Sequence, residues 1–413
     1  MNRIEIIKNH LIFSTPLENY FNIIEINNCN SNNNNNKNIL KEMENSKIKI
    51  IEYKNGCRRI ILNRSEALNS LTIEMLRFLL EKLREFNDDY RCKFVIINSS
   101  TEKSFCSGGD IKEFAQFSQS PTGVNPFIKI EYTMDHLIHT FNKPILSFVN
   151  GIVMGGGVGL SIHCSHRIVG DNVQWAMPEN KIGYFPDVGT SYFLSKLGSI
   201  GLYLGMVGVK INSKDLINIK LATHYIPNDL LERTLEELCN DEDIEGFRQI
   251  DFILNKYRKT LYADKESSHL VKYQTIINKC FNKKFKSVIE ILNQLKDEIT
   301  NERNHSDERE WASKTLSILL DNSCPTSVCI SFETIHRALQ MNIDQIFEME
   351  IRVGTRIGNR EDISQGVRKT LIDKNYKPIY SPSSIYDISQ SFIDSFFLPL
   401  NDEKKEFSFS IDE

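Results

Sequence analysis

Two glycine clusters constrain this chain more than any other feature. Ser107-Gly108-Gly109-Asp110 follows the apolar run Phe94-Val95-Ile96-Ile97, and Gly155-Gly156-Gly157 follows Ile145-Leu146-Ser147-Phe148-Val149. Each cluster leads into a stretch with helical spacing. Strands alternating with helices and no intervening linker argue for one α/β domain built of right-handed crossovers. The loops also carry a chemical reading. The first N–H groups of a helix have no intrahelical partner, and the helix dipole favours negative charge there. Glycine permits close approach, because no Cβ stands between backbone and ligand. Two such donors from different loops, aimed at one point, would hold the oxygen of a polarised carbonyl as an oxyanion hole. Taken singly, each cluster reads better as a tight turn or close packing. Neither contains G-x-G-x-x-G beside an acidic ribose ligand, nor the lysine of a phosphate loop, so nucleotide cofactor binding has no support.

The surrounding pattern divides the chain into three stretches. Residues 47–227 carry the α/β signals. Lys47 to Tyr53 alternates polar and apolar residues, Asn55-Gly56 is a hairpin turn signal, and Arg58 to Leu62 continues as a strand. Thr72 is an N-cap before a helix with Met75, Leu76, Leu79, Leu80, Leu83 and Phe86 on one face. Phe127 to Phe141 again has helical spacing, and Arg167-Ile168-Val169 and Val173-Gln174-Trp175-Ala176 read as strands. Residues 228–413 read as a mainly helical region, with a polar break at Asn301 to Asp307, a helical pair over Pro325 to Ile351, and a loop-like end from Lys374. Residues 1–46 differ from both. The run Asn32 through Asn36 lies in polar low-complexity sequence that cannot bury a core, so this leader is expected to be disordered. Its apolar patch of Ile6, Ile7, Leu11, Ile12 and Phe13 has Arg3 and Lys8 as neighbours, but Glu5, Glu18 and Glu25 depart from a standard transit peptide.

Charge and cysteine usage exclude several classes. Among 413 residues, 50 Lys and Arg face 54 Asp and Glu, a net charge of -4, so no polyanion such as nucleic acid is an expected partner. No uncharged apolar run approaches the roughly 18 residues of a membrane span. The nine cysteines are scattered and never spaced C-x-x-C, which reads as free thiols in a reducing compartment. His163-Cys164-Ser165-His166 lacks a second ligand pair nearby, and adjacent residues on a regular element point apart, so it is read as a chance cluster and no metal is expected.

The segment Trp175 to Gly189 holds two prolines, each followed directly by a carboxylate: Pro178-Glu179 and Pro186-Asp187. Asp187 also suits a helix N-terminus, and Glu179 a solvated loop. Flanked by apolar residues, both carboxylates are candidates for partial desolvation, which raises a carboxyl's pKa into the range for acid–base work.

These motifs together resemble a known family. Phe105-Cys106-Ser107-Gly108-Gly109-Asp110-Ile111, Asn150-Gly151 with Met154 to Leu160, and Ala176-Met177-Pro178-Glu179 through Phe185-Pro186-Asp187-Val188-Gly189 look like the crotonase (enoyl-CoA hydratase/isomerase) superfamily. More closely they resemble its 3-hydroxyisobutyryl-CoA hydrolase branch, from about Lys47 to Asp373, including Pro325-Thr326-Ser327, Gly366-Val367-Arg368 and Leu371-Ile372-Asp373. The resemblance implies a crotonase-like spiral of ββα units with a helical C-terminal region. It implies an oxyanion hole from the N–H groups of Gly109 and Gly156, and Glu179 and Asp187 as paired catalytic carboxylates. It also implies Glu131 as a substrate contact, and Ala67-Leu68-Asn69 near the adenine end of CoA. No cofactor is implied beyond the CoA of the substrate itself.

One departure separates activities within that superfamily. Hydratases hold water with two glutamates, and the first of these falls on Gly159 here, while Asp187 stands where typical hydratases have glycine. That exchange disfavours hydration and favours hydrolysis of a short β-hydroxyacyl-CoA, 3-hydroxyisobutyryl-CoA of valine breakdown. The alternatives are an enoyl-CoA isomerase using one glutamate, and a structural relative associated with the mitochondrial ribosome. The resemblance further implies a mitochondrial location, with the cytosol as the alternative. Superfamily cores often associate as homo-oligomers, and the helical C-terminal region is an alternative cover for that surface.

Overall fold

The computed structural model describes residues 21–25, 46–117 and 124–400. Strands β2 (Ile48–Glu52) and β3 (Cys57–Leu62) pair antiparallel across the Asn55-Gly56 turn, where Gly56 takes φ +87°. Helix α1 (Ile73–Asp88) starts at Thr72, whose Oγ1 accepts the Met75 N–H at 3.2 Å. Its expected face is buried, Leu80 only in part.

From β3 onward the main sheet is parallel, through β4 (Phe94–Ser99), β6 (Ile145–Val149), β8 (His166–Val169) and β10 (His224–Tyr225). A second parallel sheet contains β5 (Ser104–Cys106), β7 (Ile152–Met154) and β9 (Gln174–Ala176) in that order. Each unit therefore gives one strand to the large sheet and the next to the small one. A helix follows β5 and β7: α2 (Ile111–Phe117) and α4 (Gly156–Ile162). This is the spiral of ββα units that the resemblance implied. Helix α3 (Pro126–His139) packs against α1 and leads into β6. Strand β4 is buried almost throughout, the near-continuous apolar run of a parallel strand covered on both faces.

After β9 a short turn of helix at Glu179–Ile182 leads to α5 (Thr190–Lys196), α6 (Ser199–Val207) and α7 (Ser213–Asn218). The C-terminal region is helical as expected: α8 (Asn228–Asn240), α9 (Phe247–Tyr257), α10 (His269–Cys280), α11 (Val288–Thr300), α12 (Ser306–Asp321), α13 (Pro325–Ala338), α14 (Ile343–Gly358) and α15 (Glu361–Val367). The polar break begins between α11 and α12 and runs into the first turn of α12. Helices α8 and α9 cover one face of the large sheet through Leu235, Leu238, Ile250 and Ile253 against Phe94, Ile96, Leu146 and Ile168. The main core lies on the other face, and it draws residues from Ile48 to Phe397.

Strand β1 (Phe21–Glu25) pairs parallel with β2 at the edge of the large sheet. It corrects the expectation of a disordered leader for these five residues. The open edge of β2 offers unpaired backbone groups, and Phe21-Asn22-Ile23-Ile24 has strong strand propensity. The Asn-rich run and the apolar patch around Leu11 lie outside the described residues. Eight cysteines lie within them, all buried free thiols. No helix among the described residues is long and apolar enough to cross a membrane.

Candidate active site

The three motifs meet because they end three neighbouring strands. Ser107-Gly108-Gly109 follows β5, Gly155-Gly156 follows β7 and Met177-Pro178-Glu179 follows β9, so all emerge at the same end of the small parallel sheet. The crevice beyond the carboxyl ends of parallel strands is where α/β sheets bind ligands. Leu71 fixes the first loop, donating its N–H to Gly108 O at 2.8 Å and accepting from Asp110 N–H at 2.7 Å. A Cβ added to Gly156 would stand 3.3 Å from Gly109 N, and one on Gly108 would stand 3.5 Å from Gly156 N. The two loops are thus in contact at their backbones. Neither the Gly109 nor the Gly156 N–H donates a hydrogen bond among the described residues. Two unspent donors a few ångström apart fit an oxyanion hole.

Carboxyl groups crowd the same point. Glu131 of α3 reaches over Gly156, and a Cβ there would fall on its Oε1; that oxygen has no hydrogen-bond partner among the described residues. Glu179 Oε1 lies 2.9 Å from where a Cβ on Gly155 would be, and its Oε2 is also without a partner among them. Glycine is required at 156 because any side chain would take the space of a carboxylate. Burial pushes the Glu131 and Glu179 carboxyls well above the usual range, and the charge of Asp187 adds to both. Asp187 behaves differently. Its Oδ2 accepts the Tyr132 hydroxyl at 2.7 Å, and burial lifts it only to about 7 because the Tyr132 and Tyr184 hydroxyls favour the ionised form. Hydrogen bonding to the ionised form thus offsets part of the cost of burial at Asp187.

The backbone around Asp187 is held from two sides. Val188 takes φ +53° and Gly189 φ +73°, and a β-branched residue in the left-handed region is strained by about 1–3 kcal/mol. His163 Nε2 donates to Val188 O at 2.7 Å, while burial lowers that imidazole to about 3 and keeps it neutral. From α14, Glu350 accepts the Gly189 N–H at 2.7 Å and the Ser191 N–H at 3.4 Å. The Glu179 turn is pinned as well: Asn180 Nδ2 donates to Gly205 O and Met206 O, and Asn180 Oδ1 accepts from Ser331 Oγ of α13 at 2.7 Å. The helix-cap reading of Asp187 does not hold. Helix α5 starts three residues later behind Gly189, and the Asp187 side chain is spent on Tyr132.

Of the residues singled out from the sequence, Glu131, Glu179, Asp187, Gly109 and Gly156 come together. Ala67 and Leu68 are partly exposed beside the first loop, where Leu68 O accepts the Ser107 N–H. Asn69 is fully buried, its amide committed to Ser99 Oγ, Ser104 O, Phe105 O and Arg64 N–H, so it holds the loop rather than presenting a face to a ligand. His163 and His166 point apart, His166 towards Asp251. No group of metal-binding side chains forms among the described residues. Sequence reasoning missed Tyr132, Asp135, His163 and Glu350. Two left a signal: Asp135 and Glu350 are carboxylates on the apolar faces of amphipathic helices, one turn after Glu131 and Ile346.

Glu350 makes a testable case. Burial pushes its carboxyl from 4.5 to about 8. A carboxyl that holds its proton more tightly when folded stabilises the fold most at acid pH, and that contribution is lost as pH rises from about 4.5 to about 8. Replacing Glu350→Gln should therefore flatten the decline of Tm between about pH 5 and pH 8 seen by calorimetry. An unchanged slope would show that Glu350 does not titrate in that window.

Over residues 57–397 the chain matches the Enoyl-CoA hydratase/isomerase family. The chain belongs to this family. Relatives named "3-hydroxyisobutyryl-CoA hydrolase, mitochondrial" include one from Danio rerio, 34% identical over 346 residues, 83% of this chain and 87% of that protein. Another from Dictyostelium discoideum is 33% identical over 386 residues, 89% of this chain and 96% of that one. Among solved structures, a carnitinyl-CoA dehydratase from Mycobacterium thermoresistibile superposes with TM-score 0.77 at 25% identity, covering 89% of this chain and all 100% of that one. An enoyl-CoA hydratase from Rhodobacter sphaeroides gives 0.74 at 28%, covering 86% and 98%. The family's fold hosts several reactions, so activity follows from the site rather than the spiral.

Proposed function

We propose that this family member hydrolyses a short β-hydroxyacyl-CoA thioester, 3-hydroxyisobutyryl-CoA, to 3-hydroxyisobutyrate and CoA, the step found in valine breakdown. The observation that carries this is the placing of Asp187. Its carboxyl lies buried against Tyr132, close enough to raise Glu179, while Gly159 supplies no acid of its own. The thioester oxygen would take the Gly109 and Gly156 N–H groups, which stabilise it as negative charge builds. Asp187, whose ionised form the Tyr132 and Tyr184 hydroxyls favour, takes a proton from water as the water oxygen bonds to the carbonyl carbon. The C–S bond then breaks, and Glu179 gives its proton to the departing thiolate. Groups pushed to different pKa values divide acid from base work. The Tyr132 hydroxyl held on Asp187 supports Asp187 as the base.

A panel of acyl-CoA thioesters with free-thiol detection tests the reading. Thiol release from 3-hydroxyisobutyryl-CoA is expected, with neither hydration of crotonyl-CoA nor isomerisation of a 3-enoyl-CoA. Isomerisation without thiol release would overturn it. A mitochondrial location belongs to the same proposal and is supported by relatives named mitochondrial. Residues 1–46 fused to a fluorescent reporter should carry it to mitochondria, and a wholly cytosolic signal would refute this.

A further inference from the structure

Helix α3 brings a second acid to the site that the mechanism above does not use. Asp135 follows Glu131 by one turn, has 0% exposure, and neither of its carboxyl oxygens has a hydrogen-bond partner among the described residues. A buried polar group without a partner is costly unless a partner arrives. The two acids of α3 lie in register on two glycines of α4. Glu131 Oε1 sits on Gly156, and Asp135 Oδ2 lies 2.6 Å from where a Cβ on Gly159 would be. The same Cβ would be 2.9 Å from Val188 Cβ, so this space adjoins the Asp187 turn.

Spacing relates this point to the acyl chain. Three residues of α-helix advance about 4.5 Å. With the thioester carbonyl at the Gly156 N–H, the space over Gly159 lies about that far along. An oxygen on the third acyl carbon lies at most about 3.8 Å from the carbonyl carbon in an extended chain, and a hydrogen bond of about 2.8 Å covers the remaining distance to the carboxyl. We propose that Asp135, whose carboxyl takes the space a side chain at Gly159 would need, recognises the 3-hydroxyl group of the acyl chain. The inference rests on the acyl-CoA hydrolase reading and names the group that selects its substrate. Burial, with the charges of Glu131, Asp187 and Glu350 adding to it, pushes the Asp135 carboxyl well above the usual range. A neutral carboxylic acid has one O–H donor and spare acceptor capacity, which matches an alcohol that both donates and accepts.

The test compares kcat/KM for 3-hydroxyisobutyryl-CoA and for isobutyryl-CoA, which lacks the hydroxyl, alongside thermal melts. The wild type should prefer the hydroxylated thioester by about a hundredfold or more, because the analogue leaves a buried polar group unpaired. Asp135→Asn keeps a donor and an acceptor and should retain that preference to within about tenfold. Asp135→Leu should bring the two thioesters to within about tenfold of each other while melting no lower than wild type, since an unpaired buried carboxyl is gone. A purely structural residue would lose stability and leave the ratio alone. Gly159→Ala, whose methyl displaces the carboxyl, should collapse the same ratio in a chain that keeps Asp135, and it decides the matter if Asp135→Leu does not fold. An unmoved ratio in both variants, or a wild type indifferent to the hydroxyl, overturns this inference alone. No thiol release from any acyl-CoA overturns the hydrolase reading, and this inference with it.

Discussion

Replacing Asp187→Asn should abolish turnover and leave the protein folded. The expected loss in kcat/KM is about 10²–10⁴-fold, the usual worth of a positioned proton-transfer group. Asparagine keeps the shape and can still accept the Tyr132 hydroxyl, so the melting temperature should match or exceed that of the wild type at neutral pH. Wild-type activity should fall as pH drops through about 7, where Asp187 takes up its proton, and the residual activity of the variant should lack that limb. Glu179→Gln should be as severe. The double variant should be little worse than either single one, because residues acting as a unit are not additive. Steady-state hydrolysis with melts of each variant measures all of this. Near-normal turnover in Asp187→Asn would remove it from the mechanism.

Gly156→Ala should be nearly as damaging for a different reason. The added methyl would fall on Glu131 Oε1 and stand 3.3 Å from Gly109 N. Either the carboxyl or the loop must move, and the two N–H groups lose their common aim. Losing one oxyanion donor costs roughly 10²–10³ in kcat. Gly358→Ala is the contrast: its new methyl would meet only Phe114, at 3.8 Å, and the site should not register it. Unimpaired kcat in Gly156→Ala would mean that the carbonyl oxygen binds elsewhere.

Much of this fold could be read before any coordinates. The β2–β3 hairpin, the Thr72 cap and strands β4, β6 and β8 of the large sheet follow local rules. Of the small sheet only β9 reads as a strand from the sequence. β5, β7 and β9 have three residues each, too few for alternation to register, yet it is their parallel pairing that makes three separate motifs converge. The glycines and both Pro-acid pairs were legible as chemistry; their common focus was not. Asp135 and Glu350 show what periodicity can conceal. A helix with an apolar stripe was recognised, and a carboxylate within the stripe was passed over. At Asn69, which the resemblance places near the CoA adenine, the side chain makes four hydrogen bonds within the loop. The edge strand β1 was hidden by the asparagine run beside it.

The clamp on the Gly189 N–H has a bearing on when this protein becomes active during its own synthesis. Glu350 lies 161 residues after Gly189. At roughly 5–20 residues per second on the ribosome, that separation is about 8–30 seconds of translation. Both glycine loops and both catalytic carboxylates have been made by then, but the strained turn that aims Asp187 still lacks its acidic partner. A growing chain, or one ended early by a stop codon before α14, would carry every residue of the reaction centre and still be unable to cleave a thioester. Chemical competence is thus conferred last, by a helix that contributes no reacting atom.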